Sequence, residues 1–165
     1  MTELAEFPTT GTERELLVGF LEFYRAVFAR KAEDVDDEAA RTATCPPSSL
    51  TITGLVRHMA EVERGWFRRG VAGETAPPIY YADENPDGGL HVGPGDTVAD
   101  ALAAWWDEVD RARTILAGAD LETVIERRDE AISARWIVLH MIEEYARHCG
   151  HLDLIREAID GRTGD

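Results

Sequence analysis

The sequence predicts an all-α protein, a four-helix bundle with one long connection between its second and third helices. Three observations carry that expectation. Four segments of roughly 16 to 27 residues place apolar side chains at the 3.6-residue period of a helix with one buried face. No stretch alternates convincingly in the manner of a strand. Between the second and third segments, residues 72–96 (AGETAPPIYYADENPDGGLHVGPGD) have no period and contain nine glycines or prolines, a connection longer than most and of the kind that often carries function.

The first helix is expected to start at Thr12, where Thr12 and Glu15 can form a capping box. Leu16, Leu17, Phe20, Tyr24, Val27 and Phe28 recur at helical spacing up to about Lys31. An acidic span, EDVDDEAA, and a turn with Pro46 and Pro47 follow. The second helix begins between Ser49 and Thr53 and runs to about Arg69, its apolar band holding Leu55, Met59, Val62 and Trp66. His58 lies one turn from Val62. The third helix runs from about Thr97 to Leu116, with Asp96 or Thr97 as cap and Gly118 as its end. A short stretch around Leu121–Arg128, irregular or briefly extended, leads to Ser133, and the last helix continues to Ile159 before Gly161. No repeat or linker divides the chain, so residues 1–165 are expected to form a single domain.

Composition narrows the partners. A net charge of −15 repels phosphate backbones and anionic membranes, and no basic cluster longer than two residues offsets it. Neither nucleic acid nor a membrane is therefore an expected partner. No apolar run reaches the ~20 residues of a membrane span. The start MTELAEFPTTGTERE is unlike a secretory signal. Cys45 and Cys149 form no disulfide framework, which fits a cytoplasmic location. Cys149 reads as a packing thiol and Cys45 shows no activating neighbour. Trp66, Trp105, Trp106 and Trp136 read as core or dimer-interface residues.

The last helix poses the chemical question. Taking His140 as zero and ~100° per residue, Glu144 lies near 40°, His148 near 80° and His151 near 20°. Ile137, Met141, Leu152, Ile155 and Ile159 fall between about 60° and 120° on the same count. His148 thus sits within the buried stripe and Glu144 at its shoulder, while Glu143, Arg147 and Asp153 point to solvent. A buried carboxylate costs several kcal/mol unless paired, hydrogen-bonded or bound to a cation. Glu144 and His148, one turn apart, offer the oxygen and nitrogen that a divalent metal takes, and His58 is the natural third ligand from another helix. Three protein ligands leave a position open, as in catalytic sites. Polar packing without an ion, with Glu144 on an arginine, is the competing explanation. His140 and His151 share the side of the helix that faces these groups, and are the candidate proton-shuttling or orienting catalytic residues. Tyr80, Tyr81 and His91 lie in the long loop, which is by default a solvated surface loop and, as the alternative, a lid over the open face of the metal site.

Two stretches, GLVRHMAEVERGWFRR (54–69) and WIVLHMIEEYARHCGHLDLIREAIDG (136–161), resemble the DinB/YfiT-like superfamily of metal-binding four-helix bundles. The resemblance covers most of the chain. In that superfamily the usual triad is one histidine on the second helix and an HxxxH pair on the last. His58 matches the first ligand and His148 the last, with Glu144 at the position where a second histidine is usual. A His, Glu, His set resembles the N-terminal bundle of mycothiol-dependent maleylpyruvate isomerase, whose metal is usually zinc. The resemblance implies zinc, with nickel or iron as alternatives that the same ligands suit. It also implies a thiol-dependent S-transferase or isomerase that joins a low-molecular-weight thiol, mycothiol in type, to a small-molecule electrophile, and a homodimer. The alternative is a non-catalytic metal- or ligand-binding bundle, related to stress or to protein interaction.

Overall fold

The structure, a computed structural model, describes residues 2–4, 6, 8–82, 84–127 and 129–164. It is mostly helical: α1 (Glu13–Ala32), α2 (Asp37–Ala40), α3 (Ile52–Glu63), α4 (Val98–Gly118) and α5 (Ala134–Asp160). A π-helical segment, Arg64–Val71, continues α3, and the strands β1 (Val124–Arg127) and β2 (Glu130–Ser133) precede α5.

Local chemistry sets the helix starts. Thr12 and Glu15 form the predicted capping box, the Thr12 N–H donating to Glu15 Oε2 at 2.7 Å. Thr51, Thr97 and Ser133 cap α3, α4 and α5 in the same way, each side-chain oxygen accepting from a backbone N–H three residues on. Gly161 closes α5 with φ of 74°, a left-handed conformation that glycine adopts without steric cost.

Three departures from the sequence expectation have physical causes. The second helix does not stay α-helical to Arg69. From Arg64 it widens, and Ala72 N–H donates to Phe67 O five residues back. A two-stranded antiparallel hairpin occupies the expected irregular stretch, with Val124 opposite Ser133 and Arg127 opposite Glu130. Arg128, the last residue of that predicted stretch, lies outside the described residues. The strands are four residues long, too short for alternation to stand out in sequence. Finally, Asp153 is not free surface: Lys31 Nζ donates to it across the α1–α5 contact.

Side-chain pairs define the helix directions. Arg135 reaches Glu13 at one end and Lys31 reaches Asp153 at the other, so α1 and α5 run parallel. Arg113 pairs with Glu22 while Arg14 donates to Leu116 O, so α4 runs against α1. His58 meets His148 and Trp66 meets Trp136, so α3 runs against α5. Helices α3 and α4 are therefore parallel, and the chain from 72 to 97 must travel back along the molecule to join them. Fully buried Leu21, Phe28, Leu55, Met59, Trp105, Ile137, Met141 and Leu152 belong to one apolar cluster drawn from all four long helices.

That core also encloses charge. Arg25 donates from Nε and Nη2 to the two Glu63 oxygens at 2.8 and 2.7 Å. The Tyr145 hydroxyl donates to Glu63 Oε1, and Trp105 Nε1 donates to the Tyr145 oxygen at 2.8 Å. All four side chains are buried. Burial and the Glu63 charge push the Tyr145 hydroxyl well above its ordinary pKa. The network ties α1, α3, α4 and α5 together at the level just beyond His58, whereas Glu144 pairs with His140 and His148.

Candidate metal centre

His58, Glu144 and His148 converge between α3 and α5. One ligand atom from each lies within 4.8 Å of the other two. The His58 and His148 rings stand edge to face, with centroids 5.0 Å apart. His148 Nε2 is 3.3 Å from Glu144 Oε2, close to the roughly 3.4 Å edge of a tetrahedron whose ligands sit about 2.1 Å from a zinc ion. The donor set of two nitrogens and one oxygen therefore fits a divalent cation. His148 is 8% exposed, and His58 and Glu144 are half-buried.

Electrostatics favour the ligand forms. Burial first, and the His148 ring second, hold the His58 pKa below its ordinary value, so its imidazole is neutral at neutral pH. Hydrogen bonding from His148 holds the Glu144 carboxyl below the ordinary carboxylate range, which keeps it ionised.

The two flanking histidines take distinct places. His151 Nδ1 stands 3.2 Å from His148 Nδ1. With His148 Nε2 given to the site, its Nδ1–H donates to His151 and fixes the ring. His140 Nε2 lies 3.4 Å from Glu144 Oε1, while its Nδ1 is 3.1 Å from Glu143 Oε2. The His140 ring stacks on Trp136 (centroids 4.8 Å, 17° between planes) and meets the edge of Trp66 at 5.0 Å. Thus all five residues singled out in the sequence are near one another, three in the cluster and one on either side of it.

The long loop contributes differently. Gly89 rests on α3, where a Cβ would be 3.6 Å from the His58 backbone, and Gly88 packs within the loop, where one would be only 2.5 Å from Tyr80 O. Glu61 Oε1 accepts from the Ile79 and Tyr80 N–H groups. The Arg57 guanidinium lies 4.3 Å over the Tyr80 ring and pairs with Asp96 at 2.6 Å. Arg69 donates to the Tyr81 hydroxyl at 2.6 Å. Tyr80 is thereby fastened to α3 and Tyr81 to its π-helical continuation, whereas His91 is exposed. Sequence reading missed this clamp, although Glu61 stands three residues after His58 and so shares that side of the helix. It also missed the Arg25–Glu63–Tyr145 network, whose signal was present: Glu63 follows Met59, and Tyr145 follows Met141, by one turn on the apolar stripe.

No curated protein matches the chain. No helix of the described residues is long and apolar enough to cross a membrane. A profile of the mycothiol-S-transferase family matches residues 16–161, a span holding all five histidines and Glu144. By that match, over most of its length, the chain belongs to the mycothiol-S-transferase family.

Proposed function

We propose that the protein is a divalent-metal-dependent S-transferase, built as a single-domain four-helix bundle, that joins mycothiol to a small electrophile. The observation that carries this reading is the convergence of His58, Glu144 and His148 within 4.8 Å in a chain of this family. These three residues would hold a divalent ion, zinc first among those that two nitrogens and one oxygen suit, and the ion would supply the positive charge that stabilises a thiolate at neutral pH.

The chain's own groups then have definite tasks. His58, Glu144 and His148 would supply three ligands, a set that leaves room for the thiol. His151 holds the His148 ring in the required tautomer through the Nδ1 contact. His140 orients Glu144 and, held between Trp136 and Trp66, is the group to carry a proton between Glu144 and Glu143 at the surface. The new bond joins the thiol sulfur to the electrophilic carbon. The leaving group departs with its electron pair, or, in addition to an unsaturated substrate, the proton returns to the neighbouring carbon.

Elemental analysis of freshly purified protein should give near-stoichiometric zinc, nickel or iron, and His148→Ala should abolish both the metal and mycothiol conjugation. Less than a tenth of an equivalent of any metal, after purification without chelator, would reject the reading. Exposed Leu139 and Leu154 on α5 support a homodimer, which sedimentation will test.

A further inference from the structure

A second feature lies two turns from the cluster. In the π-helical segment, Gly65 and Gly70 lack side chains on the side that faces β1, and leave a cavity of about 210 Å³. Its lining is Gly65, Arg69, Gly70, Ile125, Glu126 and Arg127. Glu126 is exposed whereas Arg69 and Arg127 are half-buried, and although Arg69 Nη2 stands 3.6 Å from Glu61 Oε2, the cavity brings two guanidinium groups to one wall in a protein of net charge −15. The volume equals that of roughly seven water molecules, enough for a carboxylate and its attached carbons.

Aromatic side chains join this cavity to the cluster. The Arg127 guanidinium lies 3.8 Å over the Trp66 ring. Trp66 meets His140 at 5.0 Å and Trp136 at 5.5 Å, and His140 reaches Glu144. Trp136 remains 46% exposed although His140 stacks on it, so indole surface is open to a ligand. Gly65 follows His58 by seven residues, two turns on the same helix face, which sets the cavity about 10 Å from the metal ligands. Neither tryptophan nor the two arginines has a part in holding a metal.

We propose that this cavity is an anion subsite for a substrate of the His58, Glu144 and His148 cluster, and that the electrophile is a planar, ring-bearing molecule with a carboxylate about 10 Å from its reactive carbon. Arg69 and Arg127 receive the carboxylate, and the ring system lies along Trp136 and His140. The inference rests on the transferase reading for the word electrophile, but the subsite itself does not. An anionic group on the thiol would use the same arginines, and separate titrations of thiol and aromatic acid distinguish the two.

The test is calorimetric titration of the zinc-loaded protein with 2-naphthoate and with 2-naphthamide, which have nearly the same shape but differ in charge and in the N–H donors of the amide. Naphthoate should bind at least tenfold tighter. Arg69→Gln and Arg127→Gln should each erase that preference, with zinc content and naphthamide binding unchanged. Gly65→Ala, whose new methyl stands 3.4 Å from Arg69 Nη2, should weaken naphthoate without removing charge. If Arg127→Gln lowers the melting temperature through loss of the Trp66 contact, Arg69→Gln carries the test. Equal affinity for acid and amide, no naphthoate binding at millimolar concentration, or a preference that survives both arginine variants overturns the subsite. Naphthoate preference intact without any mycothiol conjugation sinks the transferase reading and leaves the subsite standing.

Discussion

At the scale of single residues, the cluster is defined by which proton each group gives up. His58 is held below its ordinary pKa of about 6.5 by burial and by the adjacent His148 ring. A depressed histidine favours the folded state while it is neutral. Its contribution is therefore present above pH ~6.5 and is lost as pH falls through the lower native value. Chelator-treated protein should lose stability on acidification from pH 6.5, and urea midpoints should fall less steeply for His58→Gln. His151 shares the direction, for burial first and His148 second, so some slope will remain in that variant. A slope identical to wild type would show that His58 is not the titrating group. His151→Phe should keep the fold but weaken zinc affinity by about 10–100-fold, the usual cost of losing a group that orients a ligand; competition against a chromophoric chelator measures it. These residues were legible because periodicity alone puts Glu144 and His148 on an apolar band, with His58 the histidine on the facing helix. The wall around His140 was not legible: Arg127 reaches Trp66 only because a hairpin brings it there, and no local pattern reports that hairpin.

At the scale of elements, the buried Arg25–Glu63–Tyr145 network decides how α3 sits against its neighbours. Removing one partner of a buried ion pair leaves the other uncompensated, at a cost of about 3–5 kcal/mol. Glu63→Gln should therefore destabilise strongly in chemical denaturation. Tyr145→Phe, which removes one hydrogen bond to Glu63 and leaves Trp105 Nε1 without its acceptor, should cost about 1–3 kcal/mol. The double replacement Arg25→Met with Glu63→Leu should cost less than the sum of its parts, since no buried charge remains. A similar argument applies to the long loop, where a methyl at Gly88 would stand 2.5 Å from Tyr80 O. Gly88→Ala must displace backbone, so proteolysis within 79–90 should accelerate while helix content is retained. Helix starts were readable because threonine and serine caps are local chemistry. The π-helical widening was not, because its hydrogen-bond register answers to packing against β1 and α4 that no short segment encodes.

At the scale of the whole molecule, the parallel pairs α1 with α5 and α3 with α4 make the cluster of His58, Glu144 and His148 a meeting point of parts of the chain far apart in sequence. His58 and the Glu144–His148 pair are separated by the crossover loop, α4 and the hairpin. Four helices and a long connection follow from periodicity and turn residues; which helices run parallel does not, since it is set by pairs such as Arg135 with Glu13 and Lys31 with Asp153. A ligand that binds only the folded arrangement stabilises it by mass action, about 2.7 kcal/mol at a hundredfold excess over Kd. For a chain of this length that corresponds to a rise in Tm of roughly 5–10 °C. Zinc added to chelator-treated protein should produce this rise in calorimetry, and His58→Ala should remove it. The variant still has Glu144 and His148 on one helix, so any residual shift measures what α5 alone binds. If the variant shows the full shift, the ion is held by α5 without α3, and the cluster does not act as a three-residue site.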